Sequence, residues 1–392
     1  MTAPQPGPNS FPDLVELDAL RLTVIVDNEV DFMTSVPQEL GLTTQAMSLF
    51  RDKRNIDKEK STEAIEDHHT HTHHGRSTNS ATRTIAFDFH DGRQALTNYG
   101  SFSLIEQTGI KGNVEHRILF DTGPHSAIFL ENAKRLEIEF EKIEVVVLSH
   151  WHIDHSGGML AAVEKIHEAR KKNQELPPVS VDLHPDRPDQ RGTCLTRLSA
   201  GISPNLIEYV AWGKDPSFEG IEKAGGKVSL NNQAHTVCEG FFGVSGLIPR
   251  NTTYETGIPN HTRWHEKTKS WTLEPEIMDE RYLVARVKSK GIVVLTGCSH
   301  AGVINVCQDV KRAFNQEQSD EVFFVVGGFH LAGGSVEARI KETVNDMLAL
   351  NPSFMAPGHC SGWRAKAALE EAMPGKVVSL GVGSDFFITE KI

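Results

Sequence analysis

The stretch LSHWHIDHSGGM, residues 148–159, constrains this chain more than any other. It follows EVVVLS (144–149), a run read as a buried strand, and leads into GGMLAAVEKIHEARKK (157–172). In the latter, Met159, Val163, Ile166 and Arg170 recur at helical spacing. Three histidines and one aspartate thus fall within six residues, between a strand and a helix. His150 and His152 are two apart, so in extended chain both imidazoles point the same way and can reach one ion. Asp154 and His155 are adjacent and diverge as the chain turns, placed to hold a second ion or to orient water beside the first. Nitrogen donors with one carboxylate suit zinc, with iron or manganese as alternatives. Structural histidines at a strand end account poorly for so dense a cluster.

One segment does not close such a site. His300 in LTGCSHAG, His330 in VVGGFHL and His359 in APGHCSG each follow an apolar run, where loops often carry function. His300 and His359 are expected to complete the two ion sites. His330 is a candidate ligand whose rival role is support of a ligand or contact with substrate. Cys298, on the strand that delivers His300, is either a ligand or bridge or a small buried residue, and Cys360 is read as packing. Asp279 and Glu280 precede a strand and are candidates to supply a carboxylate near the metals; Asp27-Asn28 end a strand and either support the site or form a turn. Trp151 is expected to pack beneath the ligands. Trp264, His265 and Trp271 line a groove or fill core.

Elsewhere the pattern alternates. LTVIV (22–26), SFSLIEQ (101–107), RILFD (117–121), VSVDL (179–183), YLVARVK (282–288), GIVVLT (291–296) and EVFFVV (321–326) read as strands, with Ser289-Lys290 as a hairpin turn. SAIFLENAKRLEI (126–138), VINVCQDVKRAF and SVEARIKETVNDMLAL read as helices, and MAPGHCSG as a loop. This alternation predicts a layered α/β protein. Residues 1–20, rich in Pro and polar side chains, are expected to be a flexible arm before one domain over 21–392. Residues 45–95, which include HHTHTHH, read as a polar insertion, and 185–280 as turn-rich and hard to assign.

With 39% hydrophobic residues in 392, the chain can bury a large core. A net charge of −12 repels phosphate backbones, so a small-molecule substrate is expected and a nucleic acid is not. No run approaches a membrane span of roughly 20 apolar residues. Five scattered cysteines without a CxxC pair suit reduced thiols and a cytoplasmic setting.

The pattern H-x-H-x-D-H, His150 to His155, together with ILFDTG (118–123), resembles the metallo-β-lactamase superfamily. Val26-Asp27-Asn28, GCSHAG (297–302), GGFHL (327–331), HCSG (359–362) and GLIPR (246–250) resemble, within it, the dihydropterin-ribofuranosyl-aminobenzene-phosphate synthase-like branch. Asn98-Tyr99-Gly100 departs from the acidic-His-Gly element of that branch, and the His-rich insertion lies outside its pattern. The resemblance implies an αββα sandwich of two mixed sheets flanked by helices, with metals at one edge. It implies a zinc hydrolase that activates water against a small carbonyl substrate, with a lean toward a cyclic amide or ester, and Asp154 as the proton carrier. A pterin-synthase-like transferase acting on a phosphorylated substrate and a non-catalytic metal or redox protein are the competing expectations.

Overall fold

The computed structural model describes residues 9–29, 104–172, 176–195, 208–314, 321–334 and 336–390. The polar insertion expected at 45–95 and the Asn98-Tyr99-Gly100 stretch lie outside these.

Strict alternation of side-chain direction along the strands creates the layers. In the strand Val114–Phe120, Ile118 and Phe120 face one way and Leu119 the other. In Ile143–Val147, Val145 and Val147 share the first face and Val146 the second. The first set joins Leu283, Ala285, Val293, Leu295, Phe324 and Val326 in a core between two sheets. The second set packs under Phe129, Val163 and Ile166 of the helices Ser126–Arg135 and Met159–Lys171. On the far side, Val284, Val294, Val325 and Met355 meet Ile304, Val310, Met347 and Leu369 of Val303–Ala313, Ile340–Leu350 and Trp363–Ala372. The result is helix, sheet, sheet, helix, as expected.

Each large sheet has seven strands. The first runs Asp385–Thr389, Ala19–Val26, Leu104–Lys111, Val114–Phe120, Ile143–Val147, Ser180–Leu183, Lys227–Leu230. It is antiparallel as far as Val114–Phe120 and parallel from there. The second runs His235–Val237, Phe242–Val244, Tyr282–Val287, Gly291–Thr296, Val322–Gly328, Phe354–Gly358, with Glu16–Leu17 pairing beside Tyr282–Val287. It too passes from antiparallel to parallel, at Gly291–Thr296. The hairpin at Ser289-Lys290 closes as read, with Ser289 at φ 59°.

Three expectations change. The stretch MAPGHCSG is not a loop throughout: Phe354–Gly358 is a strand, followed by a 3-10 turn at His359–Ser361. Pro357 is tolerated because this strand ends the sheet order. The flexible arm expected over 1–20 does not describe residues 9–20. Asn9 donates from Nδ2 to Asp309 Oδ2 at 2.6 Å, Phe11 stacks on Phe314 at 5.7 Å, and two short strands follow. Proline-rich composition hid the apolar anchors Phe11 and Leu17, both buried. Finally, the turn-rich middle holds a third, four-stranded antiparallel sheet in the order Ser270–Leu273, His261–His265, Gln190–Cys194, Tyr209–Ala211. Among the described residues, no helix is long and apolar enough to cross a membrane.

Candidate metal centre

Parallel strands present all their carboxyl ends at one edge, and in open α/β sheets that edge is where ligands bind. Here both sheets do so at the same end of the sandwich. Val114–Phe120 runs into Asp121, Ile143–Val147 into Ser149 and His150, and Gly291–Thr296 into Cys298 and His300. Val322–Gly328 runs into His330, and Phe354–Gly358 into His359. Asp121, Ser299, His330 and His359 all hold φ between 47° and 64°, the left-handed region that non-glycine residues avoid. Such strain costs on the order of 1–3 kcal/mol per residue and clusters at functional sites.

Seven of the expected residues form two groups. His150 Nε2 lies 3.0 Å from His152 Nδ1, and His300 Nε2 lies 3.1 and 3.2 Å from these two atoms. In the second group, donor atoms of Asp154, His155, Cys298 and His359 all lie within 4.8 Å of one another. Asp154 Oδ2 is 3.5 Å from both His155 Nε2 and His359 Nε2. Cys298 Sγ is 3.1 Å from each of those nitrogens and also falls in a group with His150 and His300. It therefore stands between the two sets. His330 enters no donor group among the described residues; its ring sits edge-on against His300 at 4.5 Å.

The surrounding hydrogen bonds assign the histidine tautomers. Asp121 accepts from the Ser149 amide at 2.7 Å, from Ser149 Oγ at 2.8 Å and from His155 Nδ1 at 2.8 Å. With its proton given to Asp121, Ser149 Oγ accepts from His150 Nδ1 at 2.9 Å. His261 donates from Nδ1 to the Glu274 carbonyl at 2.7 Å, so its Nε2 accepts from His152 Nε2 at 3.1 Å. Lone pairs therefore remain on His150 Nε2, His152 Nδ1 and His155 Nε2, all aimed inward. Burial, then neighbouring like charge, pushes His150, His152 and His300 well below the usual histidine range, so they are neutral, the ligating form. Burial also lowers His261, to about 4.

The ligand loops are clamped from behind by two successive acids. Asp279 accepts from the Trp151 amide at 2.7 Å and from Arg191 at 2.5 Å. Glu280 accepts from the amides of His300 at 2.7 Å and Ala301 at 2.6 Å. Neither is in a donor group, so the pair acts through backbone rather than as a carboxylate on the ions. Asn28 Nδ2 donates to the His359 carbonyl at 2.9 Å, which makes it a support of that loop. Trp151 is buried under the ligands, its Nε1 donating to the His184 carbonyl.

Comparison with known proteins agrees with this fold. Residues 100–231 match the family model described as the metallo-β-lactamase superfamily. The solved structure of a metal-dependent hydrolase of the β-lactamase superfamily superposes with TM-score 0.56 at 20% identity, covering 93% of this chain and 98% of that one. Residues 100–231 thus carry the metallo-β-lactamase match, and the chain as a whole shares the fold of that solved structure. It is also similar to the 7,8-dihydropterin-6-methyl-4-(β-D-ribofuranosyl)-aminobenzene-5'-phosphate synthase of Methanocaldococcus jannaschii, 26% identical over 292 residues, which are 74% of this chain and 91% of the synthase. An uncharacterised protein of the same organism is 29% identical over 259 residues, 65% of this chain and 83% of that protein.

The residues of this centre fit an ion. Three imidazole nitrogens converge at 3.0–3.2 Å, and the lone pairs of His150 Nε2 and His152 Nδ1 face each other at 3.0 Å. Their spacing is close to the ~3.3 Å edge of a tetrahedron with zinc–nitrogen bonds of about 2.0–2.1 Å. Sequence reading missed Ser149, His261 and the positioning role of Asp121, and it took Glu280 for a carboxylate near the ions where the structure has it accepting the amides of His300 and Ala301. The run ILFDTG carried the only advance signal for Asp121; His261 lies 109 residues from its partner and had none.

Proposed function

We propose that this protein is a zinc-dependent hydrolase in which His150, His152 and His300 hold one ion and Asp154, His155 and His359 a second, with Cys298 between them. The convergence of the first three residues' imidazole nitrogens at 3.0–3.2 Å carries this reading, a spacing that suits three ligands of one zinc ion. Bound there, zinc would supply Lewis acidity and lower the pKa of solvent water from about 16 toward 7. Asp121 and Ser149 hold the histidine tautomers so that their lone pairs stay turned inward. Asp154, its side chain 29% exposed, is the one carboxylate of the donor groups at this end of the sandwich and stands nearest solvent. Its free oxygen can take a proton from an attacking water and return it to a leaving group. Trp212, half-buried, lies edge-on at 5.0 Å from His152 and forms a wall for a small substrate. A net charge of −12 disfavours nucleic acid, and a small cyclic amide or ester suits the chemistry.

A second reading is a transferase acting on a phosphorylated pterin precursor, favoured by the similarity that spans 91% of the methanogen synthase. The same ions would then hold phosphate. Zinc-loaded protein assayed against lactams, lactones, thioesters and phosphodiesters separates the two. Turnover of one class that disappears with chelator, returns with zinc and is lost in Asp154→Asn supports the hydrolase. Inactivity across the panel with a fully loaded, folded protein overturns it in favour of the transferase.

A further inference from the structure

A second group of zinc-type donors lies at the opposite end of the sandwich. His116 is near the start of Val114–Phe120, and Glu144 is near the start of the adjacent Ile143–Val147. Five residues of strand, roughly 16 Å, separate His116 from Asp121 at the other edge. Cys238 comes from the second sheet, in the turn that joins His235–Val237 to Phe242–Val244. One donor atom from each of His116, Glu144 and Cys238 lies within 4.8 Å of the others. Nitrogen, carboxylate and sulfur thus meet where two sheets come together, and Phe241 packs edge-on against the His116 ring at 4.5 Å.

The hydrogen bonding leaves this group unfinished. His116 Nδ1 meets Glu144 Oε1 at 2.8 Å; an ionised carboxylate only accepts, so the ring proton sits on Nδ1. The neutral ring then carries its lone pair on Nε2, which is buried and has no hydrogen-bond partner. Glu239 Oε2 lies 3.8 Å from that nitrogen. The Nε2 lone pair and the Glu239 carboxylate beside it repel one another unless a proton or a cation lies between them. A carboxylate on the far nitrogen of a histidine is also the arrangement that orients imidazole ligands in metal sites. Burial, with Glu144 and Glu239 close by, pushes the Cys238 thiol up, a cost that a cation would offset.

We propose that His116 and Cys238, with Glu239 at the rim and Glu144 orienting the imidazole from Nδ1, form a structural zinc-type site that ties the two sheets together at the end remote from the metal centre. The mixed nitrogen, sulfur and oxygen set suits zinc over magnesium or calcium, which take oxygen alone. The site is independent of the proposed hydrolase chemistry.

The test uses the full chain, stripped with chelator and reloaded with zinc, with metal counted per chain by mass spectrometry. Wild type should hold one ion more than Cys238→Ser or His116→Gln, with turnover unchanged in both. Cobalt in a Cys298→Ser background should retain a thiolate charge-transfer band that Cys298→Ser/Cys238→Ser loses. Because a variant can misfold, alkylation of Cys238 in the wild-type chain is followed in parallel by peptide mapping. Zinc should slow it by about tenfold or more, since a bound thiolate is withdrawn from attack. Equal metal content in wild type and folded variants, or alkylation indifferent to zinc, overturns the site. A second proton on His116 Nε2 would then account for the contact with Glu239.

Discussion

Replacing Glu280 by glutamine tests whether an acid that touches no ligand side chain governs the metal centre. Both carboxylate oxygens accept backbone amides, His300 N at 2.7 Å and Ala301 N at 2.6 Å, and the side chain is fully buried. Glutamine keeps one acceptor and turns an NH2 group toward the other amide. One charge-assisted hydrogen bond is lost, at about 1.5–3 kcal/mol, and a buried N–H is left unpaired, at about 1–3 kcal/mol. The sum, about 2.5–6 kcal/mol, falls on the loop that delivers His300. The apo form should melt earlier, and zinc affinity should drop about 10–100-fold, as happens when groups behind metal ligands are removed. Competition with a chromophoric chelator measures the affinity, and calorimetry of stripped protein the stability. A Glu280→Gln chain that binds zinc within twofold of wild type, with an unchanged apo melting temperature, would refute the clamp.

Removing His261 by His261→Ala should weaken zinc binding by about 10–100-fold, because His152 loses the acceptor that keeps its proton on Nε2; unchanged affinity in the same competition assay would count against the tautomer assignment. Glu255, buried and accepting from the amides of Ile304 and Asn305, is pushed up to about 7 mainly by burial. The folded state thus binds a proton that the unfolded state has released, so this group's contribution to stability falls as pH rises from about 4.5 to about 7. Glu255→Gln should flatten the melting temperature over that window, and a melting profile as steep as wild type would argue that another group titrates there.

How much was visible beforehand follows from the range of each interaction. Adjacent ligands at two-residue spacing are a local pattern, so His150 to His155 stood out without any fold. His300 and His359 were legible because apolar runs flagged the strand ends that carry them. The inner and outer faces of the sheets followed from alternation along strands such as Ile143–Val147, once their edges were known. The small third sheet was not legible, since its strands span only three to five residues in a turn-rich stretch. Asp279 and Glu280 act on backbone amides 128 and 20 residues away, and no side-chain pattern records a partner that is backbone. Cys298 looked like packing because its position between the donor groups exists only after both sheets meet.

The donors are divided between the two sheets, with His150, His152, Asp154 and His155 from one and Cys298, His300 and His359 from the other. During synthesis the first four emerge long before the rest, and the last waits for residue 359. A nascent chain therefore offers a partial cage until the second sheet has been made. On the proposed ligand sets, each ion site is complete only once the second sheet has closed on the first, so stoichiometric loading would report on finished folding.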